Sequence, residues 1–304
     1  MSQNLVIVIA GPTASGKSKL AIDVALAVNG VVINADSMQV YKNTPILSAC
    51  PSDEEKAKVP HILYEVFDAS RNGSVADWLD LCVAEIRKAW KKKLVPVVVG
   101  GTGLYIDNLI NGTTPIPETK GLKNDDRSYE ELKEFDVESY KKIKPNDRTR
   151  IRRAYEVFEE TGIPISEWHK KPMVKKIPEA RFAVVKILPP KAELDDRIDK
   201  RLNLMIEKGA LDEVEKLKEK DLSKSLPAMK ALGVPEFMDL LDGKVMVNEA
   251  MYLASVHTHQ YAKRQITWFK NKLKADVVLN KCYVKTDKNV LKKIISVAQR
   301  VVTL

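Results

Sequence analysis

Cysteine is scarce in this 304-residue chain, and what there is does not pair: Cys50, Cys82 and Cys282 are widely separated, odd in number and contain no CxxC. A disulfide framework and a thiolate metal pair are therefore excluded, and three small buried apolar side chains are the expected use. The four histidines, at 61, 169, 257 and 259, include no i,i+4 pair. A helix would point positions 257 and 259 away from each other, so a histidine metal centre is not expected. No apolar run approaches the roughly 20 residues that cross a bilayer, and no membrane partner is expected. The opening MSQNLVIVIAGPTASGKS lacks a basic n-region and a small-residue cleavage site, which makes the cytoplasm the expected location. Internal repeats and low-complexity tracts are absent too.

What remains is an ordinary globular composition, 44% hydrophobic and 30% charged, with a formal charge of +9. That is enough chain for one large domain, or a core with a smaller insertion. The basic excess is concentrated. Between Lys141 and Arg153 seven Lys or Arg stand against one acid, Asp147, and between Lys263 and Lys274 five stand against none. Both stretches are candidate contacts for a polyanion backbone, with a solvated helix face as the alternative.

The apolar run Leu5–Ala10 ends at Gly11, as a buried parallel strand does, and Leu20, Ala21, Val24, Ala25 and Val28 then recur at helical spacing. Val31–Ala35, Val95–Val99, Phe182–Leu188 and Val277–Leu279 read as further strands, with a helix near Asp77–Lys91. This alternation predicts an α/β fold, a parallel, doubly wound sheet with helices on both faces, and the loop after its first strand makes the core P-loop NTPase-like. The rhythm breaks from residue 115 to 178, a polar, lysine-rich, helical stretch bracketed by prolines 115, 117, 172 and 178. Residues 1–114 and 179–304 are expected to form the core, and 115–178 an inserted helical domain. Within the insertion Ile151, Ala154, Tyr155 and Phe158 make an apolar stripe, capped by Asn146 or Asp147, with arginines on its flanks.

Gly11-Pro12-Thr13-Ala14-Ser15-Gly16-Lys17-Ser18 matches G-x4-G-K-[ST] between a strand and a helix. Backbone N–H groups and the helix N-terminus cradle phosphate there, Lys17 neutralises it, and Ser18 offers a hydroxyl to Mg²⁺. A motor NTPase wants a carboxylate after a later strand. Val95–Val99 runs instead into Gly100-Gly101-Thr102-Gly103. That leaves a small-molecule or nucleotide kinase, or an enzyme that uses the loop for another diphosphate; a non-catalytic RNA-binding module leaves the loop unexplained. Asp36, after the second strand, should face the same crevice as Thr102, as a general base or as a helix cap. Arg197 and Arg201, four apart, either reach phosphate or pair with Asp195 and Asp199, and Trp268 either packs in the core or stacks on a base.

GPTASGKS, NADSMQVY at 34–41, VPH at 59–61, SVADW at 74–78, VGGTGLYI at 99–106 and QYAKRQITWFK at 260–270 stand in the order seen in tRNA dimethylallyltransferases (tRNA isopentenyltransferases). The chain resembles that family from about Leu5 to about Leu273. The resemblance implies transfer of a dimethylallyl group from dimethylallyl diphosphate to N6 of adenosine 37 of tRNA, by a monomer using Mg²⁺. It implies that Gly11 to Ser18 hold the diphosphate, that Asp36 is the base, and that Thr102 and Lys230 assist at the reacting groups. Asp36, Ser37, Met38 and Gln39 would read the flipped-out base and its neighbours. Thr149, Arg150, Ile151, Arg152 and Arg153, with Lys263, Arg264 and Gln265, would contact the anticodon stem-loop. Departures from the family pattern are Lys230 for arginine, Val234-Pro235 for tyrosine plus a basic residue, Ser18 for threonine, and a shorter insertion around Glu118–Glu134.

Overall fold

The run LVIVIA forms β1 (Leu5–Ala10), buried at every position, in the computed structural model, which describes residues 4–119 and 127–303. Strand side chains alternate between faces, and both faces of β1 are apolar. Val6, Val8 and Ala10 enter one core, while Leu5, Ile7 and Ile9 enter another. A strand buried on both faces belongs in the middle of a parallel sheet covered on both sides. With β2 (Gly30–Asn34), β3 (His61–Ile62), β4 (Val95–Gly100), β5 (Arg181–Ile187) and β6 (Val277–Leu279), it forms a six-stranded sheet of order β3-β2-β4-β1-β5-β6. Every pairing in it is parallel.

Three strands sit one residue away from their expected bounds. Ala35 leaves the strand proper yet still donates its N–H to Val99 O at 2.7 Å. β3 is not expected from the sequence, because two residues are too few to show a period.

Helices Lys17–Val28 and Lys288–Thr303 cover one face through Leu20, Val24, Ile294 and Val297. Helices Val75–Lys91, Gly103–Asn111, Val234–Leu241 and Val247–Lys272 cover the other. Val75–Lys91 begins two residues before the expected start, because Ser74 and Asp77 close a capping box. The Ser74 hydroxyl accepts from Asp77 N–H, and Asp77 accepts from Ser74 N–H. This helix carries Trp78, 1% exposed, which stacks on Tyr105 at 4.3 Å and donates its indole N–H to Asn34 O at 2.8 Å. A buried Trp with its one polar atom satisfied anchors the carboxyl end of β2, where the chain turns into Asp36.

The chain divides into two compact units, residues 1–110 with 177–304, and residues 111–176. The prolines suggest borders at 115 and 178, but Thr113 and Val174 exchange both backbone hydrogen bonds, at 3.0 and 2.9 Å, inside the smaller unit. That unit is built on the helix Arg148–Thr161, whose Asp147 side chain accepts from Arg150 N–H. Leu132, Ile151, Ala154, Tyr155, Val157 and Ile165 form its core. Phe158, expected in the stripe, stacks at 4.3 Å on Phe135 at the edge of that core. The shortened stretch around Glu118–Glu134 lies partly outside the described residues, since 120–126 are not described.

Candidate active site

At the carboxyl end of β1 the loop Gly11–Ser18 turns into the helix Lys17–Val28. Two of its residues, Ala14 (φ 62°) and Gly16 (φ 87°), are left-handed, which turns successive N–H groups to one side and makes an anion-binding concavity. At Gly16 a side chain is ruled out twice, by φ and because its Cβ would stand 1.9 Å from Tyr283 O. The segment after β6 thus closes over the loop, and Tyr283 N–H also donates to Ser15 O at 2.9 Å. Ser15 is fully buried, its hydroxyl donating to Pro12 O at 2.8 Å. Pro12 O also takes a 3.4 Å bond from Lys17 Nζ.

Lys17 is 8% exposed. Burial lowers its ammonium to about 8; the Asp36 carboxylate opposes that shift and Arg201 adds to it. A cation held in a protonatable but poorly solvated state is a strong acceptor for a polyanion, which restores the interactions that burial removed.

Two more cations arrive from the helix Lys191–Glu207. Arg201 donates from Nη1 to the Thr13 hydroxyl at 2.8 Å, and Arg197 donates from Nε to Ala14 O at 2.7 Å. Both arginines bond the glycine loop itself and not Asp195 or Asp199. Asp195 and Asp199 turn instead to His259, at 2.9 and 3.0 Å. Thr13 N–H is also taken, by Gln265 Oε1 at 2.9 Å. Thr13 therefore holds Arg201 and the loop in place, and its N–H is not among those turned to the concavity.

Asp36 follows β2. Asn34, fully buried, accepts from Asp36 N–H at 2.8 Å, and Asp36 Oδ1 accepts from Met38 N–H at 3.1 Å. The carboxylate is thus fixed by a local turn and caps no helix. The loop after the neighbouring strand β4 supplies Thr102, whose hydroxyl accepts from Ser37 N–H at 2.9 Å and donates to Ser37 Oγ at 3.2 Å. Thr102 N–H donates to Ala35 O at 3.2 Å. Asp36 and Thr102 therefore belong to one cross-linked pair of loops, close enough to the phosphate loop for Asp36 to act on Lys17. Sequence reasoning overlooks Tyr261, half-buried one turn before Gln265, where burial and the nearby Asp36 carboxylate suppress the acidity of its phenol.

Several residues expected to touch RNA already have partners within the protein. Gln39 is 7% exposed, and its Nε2 donates to Ser48 O and Ala49 O at 3.0 and 2.7 Å, closing the 39–50 loop. Gln265 is 5% exposed and internally bonded at both ends. Ile151, 1% exposed, is a core residue of the smaller unit. Arg152 bonds Glu156 at 3.0 Å, and Arg153 bonds Glu156 and Thr119. Thr149, Arg150, Lys263 and Arg264 are exposed. Lys230, expected at the diphosphate, is exposed at the end of the 3₁₀ turn Ala228–Lys230; Arg197 and Arg201 bring the guanidinium groups to the loop. Trp268 packs against Gly103 rather than standing free. Cys82 and Cys282 are buried and Cys50 is half-buried, all as free thiols.

A parallel sheet with a glycine loop after its central strand, a buried lysine and two half-buried arginines around that loop, and a carboxylate after the strand next but one defines a P-loop-like α/β enzyme. The IPP transferase family model matches residues 39–272, and the isopentenyl transferase model matches residues 4–66. The chain belongs to the IPP transferase family. It is 42% identical over 283 residues to the tRNA dimethylallyltransferase of Granulibacter bethesdensis, covering 90% of this chain and 88% of that one. To the enzyme of the same name from Rhodopseudomonas palustris it is 40% identical over 278 residues, 88% of each. The full-length tRNA isopentenylpyrophosphate transferase of Bacillus halodurans superposes with a TM-score of 0.74 at 30% identity over 99% of both chains. A eukaryotic dimethylallyltransferase solved acting on tRNA gives 0.80 at 30% identity, covering 98% of this chain and 78% of that one.

Proposed function

We propose that this chain transfers the dimethylallyl group of dimethylallyl diphosphate to N6 of adenosine 37 in tRNA, releasing diphosphate. The observation that carries the reading is the cross-linked pair Asp36 and Thr102 beside a phosphate loop ringed by Lys17, Arg197 and Arg201. A kinase on the same core is disfavoured by the family to which the chain belongs, and by a hydroxyl residue where a Mg²⁺ carboxylate would follow β4.

The exocyclic amine of adenine is a poor nucleophile because its lone pair is delocalised into the ring. Asp36 removes its proton as the new carbon–nitrogen bond forms, and the allylic carbon–oxygen bond breaks with its electrons leaving on diphosphate. Thr102 orients the amine. Lys17, Arg197 and Arg201 stabilise the charge that develops on the leaving oxygen, where fixed cations are worth most. Mg²⁺ fits as an ion carried with the substrate. Ser18 offers an exposed hydroxyl, and among the described residues no group of three or more His, Cys, Asp or Glu forms a protein cage. Mg²⁺ is commonly held in that way, by few protein groups and by substrate phosphates, and it would neutralise leaving-group charge.

A stacked base cannot reach such a site, so adenosine 37 is flipped out. Thr149 and Arg150, exposed on the first turn of Arg148–Thr161, and exposed Lys141, Lys142 and Lys144 provide phosphate contacts for the stem-loop. Lys263 and Arg264 do the same on the larger unit.

Incubation with dimethylallyl diphosphate, Mg²⁺ and unmodified tRNA should give a five-carbon mass gain on adenosine 37 after nuclease digestion. An adduct elsewhere, or phosphorylation of a small molecule from ATP with no adduct, would contradict the reading. Arg201→Met should raise KM for the prenyl diphosphate by about 10- to 100-fold, the worth of a charge-assisted hydrogen bond. KM for tRNA should be unchanged in the same steady-state series.

A further inference from the structure

We infer that Gln265 is a positioning residue that sets the distance between the leaving-group site and the acceptor site. This rests on the proposed prenyl transfer and deepens it. The Gln265 carboxamide is buried and reaches two segments far away in sequence. Its Oε1 accepts from Thr13 N–H in the phosphate loop, and its Nε2 donates to Gly101 O in the loop that carries Thr102, both at 2.9 Å. Each end of the amide meets a group of the complementary kind, so this orientation alone satisfies both.

The neighbourhood is built around that bridge. A Cβ on Gly101 would stand 2.3 Å from Gln265 Nε2 and 3.2 Å from Asp36 Oδ2. Glycine at 101 is therefore what lets the carboxamide and the carboxylate approach the same backbone point. Tyr261, Gln265 and Trp268 lie at i, i+4 and i+7 on the helix Val247–Lys272 and share one face. Trp268 packs so closely that a Cβ on Gly103 would stand 2.4 Å from its ring. Gln265 and Trp268 thus brace the loop on either side of Thr102, and of the two Gln265 extends across to the phosphate loop. Thr13, held at its N–H by Gln265, is held at its hydroxyl by Arg201.

Bond formation between two bound reactants demands that both be placed within a fraction of an ångström, and a misplacement of about 1 Å costs about 100-fold in rate. Gln265→Met, near in volume, removes both bonds. Gln265→Glu keeps the acceptor for Thr13 N–H but sets a carboxylate oxygen against Gly101 O.

Expected for Gln265→Met is a kcat about 100-fold lower, with the Kd of inorganic pyrophosphate by calorimetry and KM for tRNA close to wild type. In a Thr102→Ala background the Gln265 effect should shrink to a small remainder, because its action passes through the placement of that loop. Gln265→Glu should fall with Gln265→Met, and it serves as the test if the methionine variant does not fold. Full additivity with Thr102→Ala would overturn the inference. So would an unchanged kcat with a raised, salt-dependent KM for tRNA, which would make Gln265 an RNA contact. Absence of transfer by the wild-type protein would instead remove the functional reading itself.

Discussion

Asp36→Asn is expected to lower kcat for prenyl transfer by roughly 10²- to 10⁴-fold, the range that a positioned general base contributes. Asparagine retains the oxygen that accepts from Met38 N–H and leaves the Asn34 contact to Asp36 N–H untouched. The loop should therefore keep its shape while the proton acceptor is lost. Single-turnover kinetics with prebound prenyl diphosphate and tRNA read this directly, because substrate placement is complete before the chemical step. A second consequence is electrostatic. Asp36 raises the Lys17 ammonium against the effect of burial, so the variant should lose pyrophosphate affinity at a lower pH than wild type. A variant with wild-type single-turnover rate would leave Asp36 only its turn-forming role.

Lys17→Met is expected to separate activity from stability in opposite directions. Removing the cation that faces the departing diphosphate should cost roughly 10²–10³ in kcat, as loss of one preorganised donor does elsewhere. Yet folding the empty protein around Lys17 is unfavourable. Its folded value of about 8 lies below the ordinary 10.5, so below pH 8 the unfolded chain holds the proton more firmly. That penalty, roughly 3 kcal/mol, is fully present below pH 8 and is relieved as pH rises from 8 towards 10.5. The methionine variant should melt higher than wild type at pH 7, with the gap narrowing by pH 10. Paired thermal unfolding curves at the two pH values decide it; a variant less stable at pH 7 would mean that Lys17 is well solvated or paired. Stability of this kind is commonly exchanged for function at binding sites.

What can be read in the sequence, and what cannot, follows the range of the interactions involved. β1 and the loop after it are contiguous, and their pattern is local: an apolar run, two glycines at fixed spacing, a lysine, a hydroxyl. The position of Asp36 and Thr102 at the ends of neighbouring strands follows from the parallel alternation. β3 is two residues long and has no period to read. The borders of the smaller unit are set by the Thr113–Val174 pairing, which no local composition announces, whereas the nearby prolines do announce themselves. Gln265 and Arg201 act on Thr13 from 252 and 188 positions away. Their residue types admit RNA contact, phosphate contact or ion pairing equally. Ile151 is a different case, because its place in an i, i+3, i+4 stripe already points to the core and only the resemblance made it a contact. Gln39 fails for the reason Gln265 does: a carboxamide reads as a base-recognition group until its backbone partners are known.

The central claim is that this phosphate loop holds a leaving diphosphate for carbon–nitrogen bond formation. Product stoichiometry tests it most directly. Dimethylallyl diphosphate, Mg²⁺ and tRNA are mixed with enzyme, and pyrophosphate, inorganic phosphate and prenylated nucleoside are counted in the same time course. The account predicts one pyrophosphate per prenylated adenosine and no inorganic phosphate. Pyrophosphate released without adduct, or phosphate released from ATP added to the same mixture with no adduct formed, would contradict it.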